Sequence, residues 1–387
     1  MHLLLWAEDS GAELRAEVAH SFPGAPAQLT HSLWLETDFE VVSGRRLPYL
    51  AFARQWLPNA WAVHAASIRV WASQAFEAIA GVLPDDQPWS LHVEPHYGGR
   101  NIQRMGARAW HSAHRDGAIT APRAAPSVPP IPDSEAGRQR CRLIREALVE
   151  LLRKKRRHLL RRLRPEPIPA TANDALVQLL LTSPEAGYLS VALAPLPFEQ
   201  RHLLSSYPKG EVPGASDKAA PSRAFAKLVE AERRLGRAIQ AGETCVDLGA
   251  SPGSWTYWAV NRGAQVIAVD RSPLREDLMR HPRVVFEPRD AFTFEPPRAV
   301  DWLLCDVIAA PERTADLLLG WVRRGWCRHF VVTVKLRDAS GADALALLKR
   351  ELPSLTDELF LTRLCANKKE ACAFGSILSR AQSASRV

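Results

Sequence analysis

Residues 246–258 read VDLGASPGSWTYW, an apolar run that meets a Gly/Ser/Pro turn and continues into an aromatic-rich stretch. A strand that ends in such a loop and restarts as a helix brings backbone N–H groups close to a ligand. Gly249 and Gly253 permit an approach that a side chain would block. The stretch therefore predicts a cofactor-binding loop between a β-strand and an α-helix.

Four apolar runs in the C-terminal half end on an ionisable residue: Asp247, Asp270, Asp306 or Lys335. Asp290 follows a fifth run, VVFEPR. In an open α/β sheet, ligands bind outside the carboxyl ends of the strands, so these side chains are expected in one crevice. A single acid after a strand is more often a helix cap or turn former, but the whole series predicts a site.

The spacing of these acids indicates which cofactor the loop binds. Asp270 closes the strand that follows the loop, where a carboxylate can accept both hydroxyls of an adenosine ribose. A dinucleotide would favour G-x-G-x-x-G, whereas this loop reads GASPGSW. With Asp290 and Asp306, the pattern fits S-adenosylmethionine better than NAD.

The chain divides into three predicted units. MHLLLW, a helix-like stretch and SLWLETDFEVVS predict a small α+β unit over residues 1–64. Residues 65–205 read as a second α+β unit, with a Pro/Ala-rich surface loop at 120–132. In residues 206–387 strands alternate with helices, which predicts an α/β fold with a parallel sheet and crossover helices.

Composition excludes several classes of protein. The N-terminus has no basic segment before its apolar run, and no stretch of about 18 apolar residues occurs. We therefore expect a cytoplasmic protein without a membrane partner. The six cysteines show neither a C-x-x-C pair nor zinc spacing, so neither disulfides nor a metal site is expected.

Residues 138–164 hold twelve Lys/Arg residues and two Glu residues, a local excess larger than the net charge of +8. Apolar residues recur there at helical spacing, which predicts a helix with one packed face and one positive face. Such a face favours nucleic acid, although a solvated face without a partner is the alternative, and a membrane surface lacks aromatic support. The RNA-binding candidates are Arg153, Lys154, Lys155, Arg156, Arg157, Arg161 and Arg162.

Several segments together carry a family resemblance. They are APSRAFAKLVEA (220–231), VDLGASPGSWTYWAVNRG (246–263), VIAVDRSPL (266–274), VDWLLCDV (300–307), GWCRHFVVTVKL (325–336) and NKKEACAF (367–374). In this order they resemble the RlmM type of ribosomal RNA 2'-O-ribose methyltransferase, in the FtsJ/RrmJ superfamily. FARQWL (52–57) resembles the N-terminal region of that family, and residues 65–205 resemble a divergent THUMP domain, an RNA-binding module. The resemblance implies a Rossmann-like methyltransferase domain preceded by ferredoxin-like and THUMP-like domains.

The same resemblance implies roles for individual residues. The candidates for the S-adenosylmethionine site are Asp247, Gly249, Ser251, Pro252, Gly253, Ser254, Trp255, Asp270, Asp290 and Asp306. The implied catalytic tetrad is Lys227, Asp306, Lys335 and Glu370. Asp270 would contact the ribose, Asp290 the adenine, and Asp306 would lie beside the reacting methyl group. This chain departs from the family at Ser254, where Gly is usual, and at Ala224, where Ser is common.

The composition of the tetrad fits an acceptor group that is difficult to methylate. A ribose 2'-hydroxyl is a weak nucleophile that must lose its proton while aligned with the methyl group. Lys335 is the candidate base, and it can act only when neutral. The implied target is a cytidine of bacterial 23S rRNA, with no DNA partner. The alternatives are an RNA-binding or ribosome-assembly factor without turnover, and a small-molecule or protein methyltransferase, which the basic segment disfavours.

Overall fold

The computed structural model is built on three β-sheets. It describes residues 1–6, 10–25, 27–28, 34–42, 44–97, 135–197, 199–336, 339–366 and 369–378. The Pro/Ala-rich loop predicted at 120–132 lies outside these ranges. No helix within them is long and apolar enough to cross a membrane.

The first sheet has four strands in the order β2-β3-β1-β4. Its elements are β1 (His2–Trp6), α1 (Gly11–Ser21), β2 (Ala27–Gln28), β3 (Trp34–Thr37) and β4 (Ala53–Leu57). Helix α1 buries Leu14 and Val18 in the same apolar cluster as Trp56 of β4. A later segment closes this unit, because the Trp56 backbone N–H donates to the Leu203 carbonyl over 3.1 Å.

The second sheet has the order β5-β8-β7-β6. Its elements are β5 (Trp61–His64), α2 (Ile68–Val82), β6 (Trp89–Pro95), α3 (Glu135–Lys155), α4 (Arg157–Arg162), β7 (Ala175–Leu181) and β8 (Ala186–Ala192). β6 and β7 are parallel, and the other pairs are antiparallel. β5 pairs with β8, so strand pairing places it in this sheet, whereas the predicted boundary at residue 64 assigns it to the first unit.

The basic segment forms two helices, so the prediction of one continuous helix is wrong. The break is at Arg156, which has φ −146° and ψ 62°. Beyond it, the Trp89 indole N–H donates to the Leu159 carbonyl over 2.8 Å, and the Arg164 N–H donates to the Trp89 carbonyl over 2.8 Å. Bonding to the sheet thus replaces helical bonding, and like charges at neighbouring helical positions also disfavour a longer helix.

The third sheet has seven strands in the order β11-β10-β9-β12-β13-β15-β14. Its strands are β9 (Thr244–Leu248), β10 (Gln265–Val269), β11 (Val284–Glu287), β12 (Val300–Cys305), β13 (Cys327–Lys335), β14 (Thr356–Thr362) and β15 (Glu370–Ile377). The pairs from β11 to β13 are parallel, and β15 is antiparallel to both of its neighbours. This confirms the predicted mostly parallel, Rossmann-like sheet.

Helices cover both faces of the third sheet. They are α5 (Phe225–Leu235), α6 (Ser254–Asn261), α7 (Glu276–Met279), α8 (Pro311–Arg324) and α9 (Ala339–Glu351). One apolar cluster contains residues of α5 and α6, and a second contains residues of α8 and α9. Tyr49 and Ala51 join the second cluster, so the first unit packs against the third sheet. Coverage on both faces explains why the central strands are apolar throughout.

Candidate active site

The carboxyl edge of the third sheet brings the predicted ionisable side chains together. Asp270 follows β10, Asp306 follows β12, and Lys335 is the last residue of β13. Glu370 opens the antiparallel strand β15 and lies directly opposite Lys335 in the ladder. Residues distant in sequence therefore meet at one edge, as expected for an open α/β sheet.

Lys227, Asp306, Lys335 and Glu370 form a closed ring of ion pairs. The Lys227 Nζ atom lies 2.8 Å from Asp306 Oδ2 and 2.6 Å from Glu370 Oε1. The Lys335 Nζ atom lies 3.1 Å from Asp306 Oδ1 and also contacts Glu370 Oε2. Each lysine thus bridges both carboxylates, and the four formal charges cancel.

Because the ring is largely buried, the protonation state of each member depends on the charges of the others. Burial opposes the charged form of Asp306, yet the ammonium groups of Lys227 and Lys335 hold the pKa of its carboxyl below the ordinary value. Burial likewise opposes charge on Lys227, but Asp306 and Glu370 raise its pKa above the ordinary lysine value. Lys227 is therefore an ammonium ion at neutral pH. Removing one member leaves a buried charge uncompensated, which is strongly destabilising.

Thr333 is a fifth member of the cluster that the sequence analysis did not identify. Its hydroxyl donates to Asp306 Oδ1 over 2.6 Å. Thr333 stands two residues before Lys335 on β13, and alternate residues of a strand face the same side. This period-two relationship was the signal that could have identified it.

The loop after β9 has the tight backbone that its glycines predict. Gly249 has φ +74° and Gly253 has φ +107°, values that L side chains rarely adopt. A Cβ atom on Gly253 would lie 2.3 Å from Leu278 Cδ1, and one on Gly249 would lie 3.1 Å from Val307 Cα. Between them, the Ser251–Pro252 peptide bond is cis. A side chain at either glycine would therefore be strained by the positive φ, and its Cβ atom would require Leu278 or Val307 to move.

The Asp270 side chain holds the backbone of this loop through hydrogen bonds. Its carboxylate accepts the Ser251 backbone N–H over 3.0 Å and the Ser272 backbone N–H over 2.8 Å, one at each oxygen. Each carboxylate oxygen can accept more than one hydrogen bond, so capacity remains for hydroxyl donors. The residue is only partly buried, which leaves it accessible at the strand end.

The remaining donor-site candidates have partners of their own. Asp247 is buried and accepts the Thr256 hydroxyl over 2.7 Å, and Trp255 is buried with its indole donating to the Ala224 carbonyl over 2.8 Å. Ser254 begins α6 and is also buried. Asp290 accepts the Phe292 N–H over 2.9 Å and pairs with an arginine. Asp247 and Trp255 therefore support the loop from within.

The RNA-binding candidates lie on the second sheet's helices and at the break between them. Arg153 and Lys154 pair with Glu150, and Lys155 lies over the Phe76 ring. Arg156 lies 3.7 Å from a carboxylate oxygen of Asp85. Arg157 donates through Nε to the Arg153 carbonyl.

Arg161 and Arg162 differ from the other candidates. Both are exposed on α4, and neither forms an ion pair with any residue that the structure describes. Their charge is thus the most available to an external polyanion.

Comparison with known proteins places these features in a family context. Residues 220–345 match the sequence model of the family described as FtsJ-like methyltransferase. A relative from Thauera aminoaromatica, "Ribosomal RNA large subunit methyltransferase M", is 33% identical over 63% of this chain and 66% of its own length. Relatives with the same name from Marinomonas sp. (strain MWYL1) and Halorhodospira halophila (strain DSM 244 / SL1) are 39% and 35% identical. The Marinomonas match covers 39% of this chain and 43% of the relative. The Halorhodospira match covers 53% of this chain and 56% of the relative. Each match spans less than two thirds of the relative.

Proposed function

We propose that this chain, whose residues 220–345 belong to the FtsJ-like methyltransferases, transfers a methyl group from S-adenosylmethionine to a ribose 2'-hydroxyl of ribosomal RNA. The observation that carries the proposal is the closed ring of Lys227, Asp306, Lys335 and Glu370 at the carboxyl edge of the sheet. The name that these relatives share, "Ribosomal RNA large subunit methyltransferase M", supports large-subunit ribosomal RNA as the substrate. The proposal includes a cytidine of 23S rRNA as target and a cytoplasmic location.

The residues of the loop after β9 fit the methyl donor. Asp270 would accept the ribose hydroxyls with its remaining acceptor capacity, and Asp290 would lie near the adenine. Ser251, Pro252 and Gly253 would line the donor with backbone rather than bulky side chains. When bound, S-adenosylmethionine supplies an electrophilic methyl group on a sulfonium centre.

The ring residues would divide the chemistry among them. Lys335 would first release one ammonium proton to solvent, and its neutral amine would then accept the proton of the 2'-hydroxyl, a task for which a positioned base contributes about 10²- to 10⁴-fold. Lys227 stays cationic, because the two carboxylates raise its pKa. Asp306 and Glu370 fix both lysines, and Thr333 fixes Asp306. The acceptor ribose is thereby oriented by groups that are themselves held rigidly.

The N-terminal half would provide RNA affinity. Arg161 and Arg162 present exposed positive charge on α4, and phosphate contacts of this kind are largely independent of sequence. Selection of one nucleotide would then depend on the methyltransferase unit and its surroundings.

Transfer of isotope-labelled methyl groups to transcribed bacterial 23S rRNA tests the function. We expect label in 2'-O-methylcytidine after nuclease digestion and nucleoside analysis. Asp306→Asn is the matched control, because it removes one charge of the ring while preserving side-chain shape. Label in a base-methylated nucleoside would contradict ribose transfer. Tight RNA binding without any label would instead support the assembly-factor alternative.

A further inference from the structure

A cleft of about 1550 Å³ lies between the first unit and the third sheet. One wall consists of α1 and the segment that leads into β4, including Arg46 and Phe52. The other wall consists of α9 and the residues that follow β13 and β14. Small-molecule pockets usually measure about 300–1,000 Å³, so this cleft is large enough for an extended ligand.

The cleft begins beside the ring of ion pairs. Two of its lining residues, Leu336 and Lys369, are the sequence neighbours of Lys335 and Glu370. The Leu336 N–H donates to the Lys369 carbonyl over 2.8 Å, which continues the pairing of β13 with β15. The loop after β9 lies on one side of the ring along the strand order of the sheet. On the other side of the ring, the cleft extends toward β14.

The lining of the cleft is positively charged. Six lysine and arginine residues line it, compared with three acidic residues. One of the acids, Glu17, forms an ion pair with Lys349 and accepts hydrogen bonds from the backbone N–H groups of Ala51 and Phe52. This pair neutralises one basic and one acidic residue, which leaves five basic residues against two acidic residues in the lining.

Two of the basic residues have no carboxylate partner among the described residues. Lys369 is exposed, and Arg54 is half-buried. The Nε atom of Arg54 is buried without a hydrogen-bond partner in the described part of the chain. The Arg54 side chain lines the cleft and is not fully buried, so its guanidinium can pair with an anionic ligand there.

Apolar groups lie among these charges. Pro48, Phe52, Leu336 and Leu364 line the cleft, and Phe52 is only partly buried. Glu17 accepts the Phe52 N–H over 3.0 Å, which fixes the backbone at the aromatic residue. Proteins that bind single-stranded nucleic acid combine basic grooves with aromatic side chains on which bases stack.

We propose that this cleft binds the single-stranded nucleotides that flank the methylated ribose. Arg54 and Lys369 bind phosphates of the strand, and one base packs on Phe52. The inference rests on the proposed function, because the ring must be the site where the target ribose reacts. It adds a second RNA contact surface, separate from the basic helices of the second sheet.

Binding of a fluorescein-labelled hexacytidylate to the full chain tests the cleft, with S-adenosylhomocysteine present. For the double variant Arg54→Gln/Lys369→Gln we expect affinity about tenfold lower and a log-log salt slope shallower by about 1.4, since each single-strand phosphate contact contributes about 0.7. Arg298→Gln is the matched control, because Arg298 is exposed and lies outside the cleft lining. Hexacytidylate affinity within twofold of wild type in the double variant overturns the proposal.

Photo-cross-linking provides a measurement that does not depend on a substituted protein. We expect an oligonucleotide containing 4-thiouridine to cross-link to the peptide that contains Phe52, and cross-links confined to α3 and α4 contradict the cleft. Neither measurement needs turnover. Absence of methyl transfer by the wild type, together with weaker binding by the double variant, would overturn the proposed function and leave the cleft as an RNA-binding surface only. Unchanged binding by the double variant overturns the cleft alone.

Discussion

The hydroxyl oxygens of Ser222 and Ser254 lie 2.6 Å apart and connect the donor loop to the segment that leads into α5. Helix α5 carries Lys227, so this bond links the two halves of the site. Ser222 also accepts the Ala224 backbone N–H over 3.2 Å. Ala224 and Ser254, the two positions at which the chain departs from the family that it resembles, therefore both contact Ser222.

We expect Ser222→Ala and Ser254→Ala each to lower the free energy of unfolding, because each leaves one hydroxyl without its partner. The double variant should lose less than the sum of the two, with a coupling energy of about 1 kcal/mol. Urea unfolding of the four proteins in the cycle measures this energy. Strictly additive losses would show that the bond contributes nothing to stability.

Lys335→Met should lower the free energy of unfolding, because Asp306 and Glu370 then share one ammonium group. The folded variant should keep the donor site but lose methyl transfer by about 10²- to 10⁴-fold, because the proton acceptor is removed. Lys227 still bridges both carboxylates in this variant. Lys335→Arg should fail as well, since a guanidinium remains protonated. Single-turnover transfer to an rRNA fragment is the measurement.

Donor binding is the control for the Lys335 variants. If Lys335→Met methylates within about threefold of wild type, Lys335 is not the base. If S-adenosylhomocysteine binding is lost as well, Lys335 is instead a structural partner of Asp306.

Asp270→Ala should weaken S-adenosylhomocysteine binding by about 1 to 3 kcal/mol, because the ribose hydroxyls lose an acceptor. The substitution also frees the N–H groups of Ser251 and Ser272, so the loop itself is expected to loosen. Isothermal titration calorimetry measures the affinity. Asp277→Ala is the matched control, since Asp277 is an exposed acid that pairs with Arg275. Equal affinity of the Asp270 variant and this control would remove Asp270 from the donor site.

Arg161→Gln/Arg162→Gln should flatten the salt dependence of RNA binding by about 1.4 to 1.8 log-log units, as expected for two lost phosphate contacts. Arg153→Gln/Lys154→Gln should have a smaller effect, because both residues already pair with Glu150. Filter binding across a salt series compares the two. Equal effects of the two double variants would contradict this ranking.

Asp247→Asn should change how stability depends on pH. Burial raises the pKa of Asp247 from 3.8 to about 7, so the folded protein holds this proton over a range in which the unfolded chain releases it. Wild-type stability therefore falls as pH rises between these values. The variant has no such proton, and its amide oxygen can still accept the Thr256 hydroxyl.

The variant should accordingly gain about 1 to 4 kcal/mol relative to wild type between pH 4 and pH 7. Urea unfolding at both pH values measures the difference. A constant difference between the two proteins would show that the Asp247 carboxyl ionises normally in the fold.

The meeting of Asp270, Asp306 and Lys335 at one edge of the sheet could be predicted from sequence because its information is local. Asp270, Asp306 and Lys335 each close an apolar run, and the carboxyl ends of parallel strands share one edge. The glycines of the loop could be predicted for the same reason. The match of residues 220–345 confirms the FtsJ relationship that the motifs indicated.

The other features of the fold and of the site depend on contacts between segments that are distant in sequence. Glu370 faces Lys335 only because β15 inserts beside β13 in the opposite direction, which no local pattern encodes. Similarly, β5 pairs with β8 across the whole second unit, and the helix break at Arg156 follows from bonding to Trp89. In each case, contacts with a distant strand override the local preference.

The insertion of β15 between β13 and β14 also imposes an order on biosynthesis. On the ribosome, Lys227, Asp306 and Lys335 emerge before Glu370, so the two lysines at first share a single carboxylate. The nascent chain can complete the ring only after β15 has entered the sheet. A polypeptide that ends before β15 would lack Glu370 and could not close the ring.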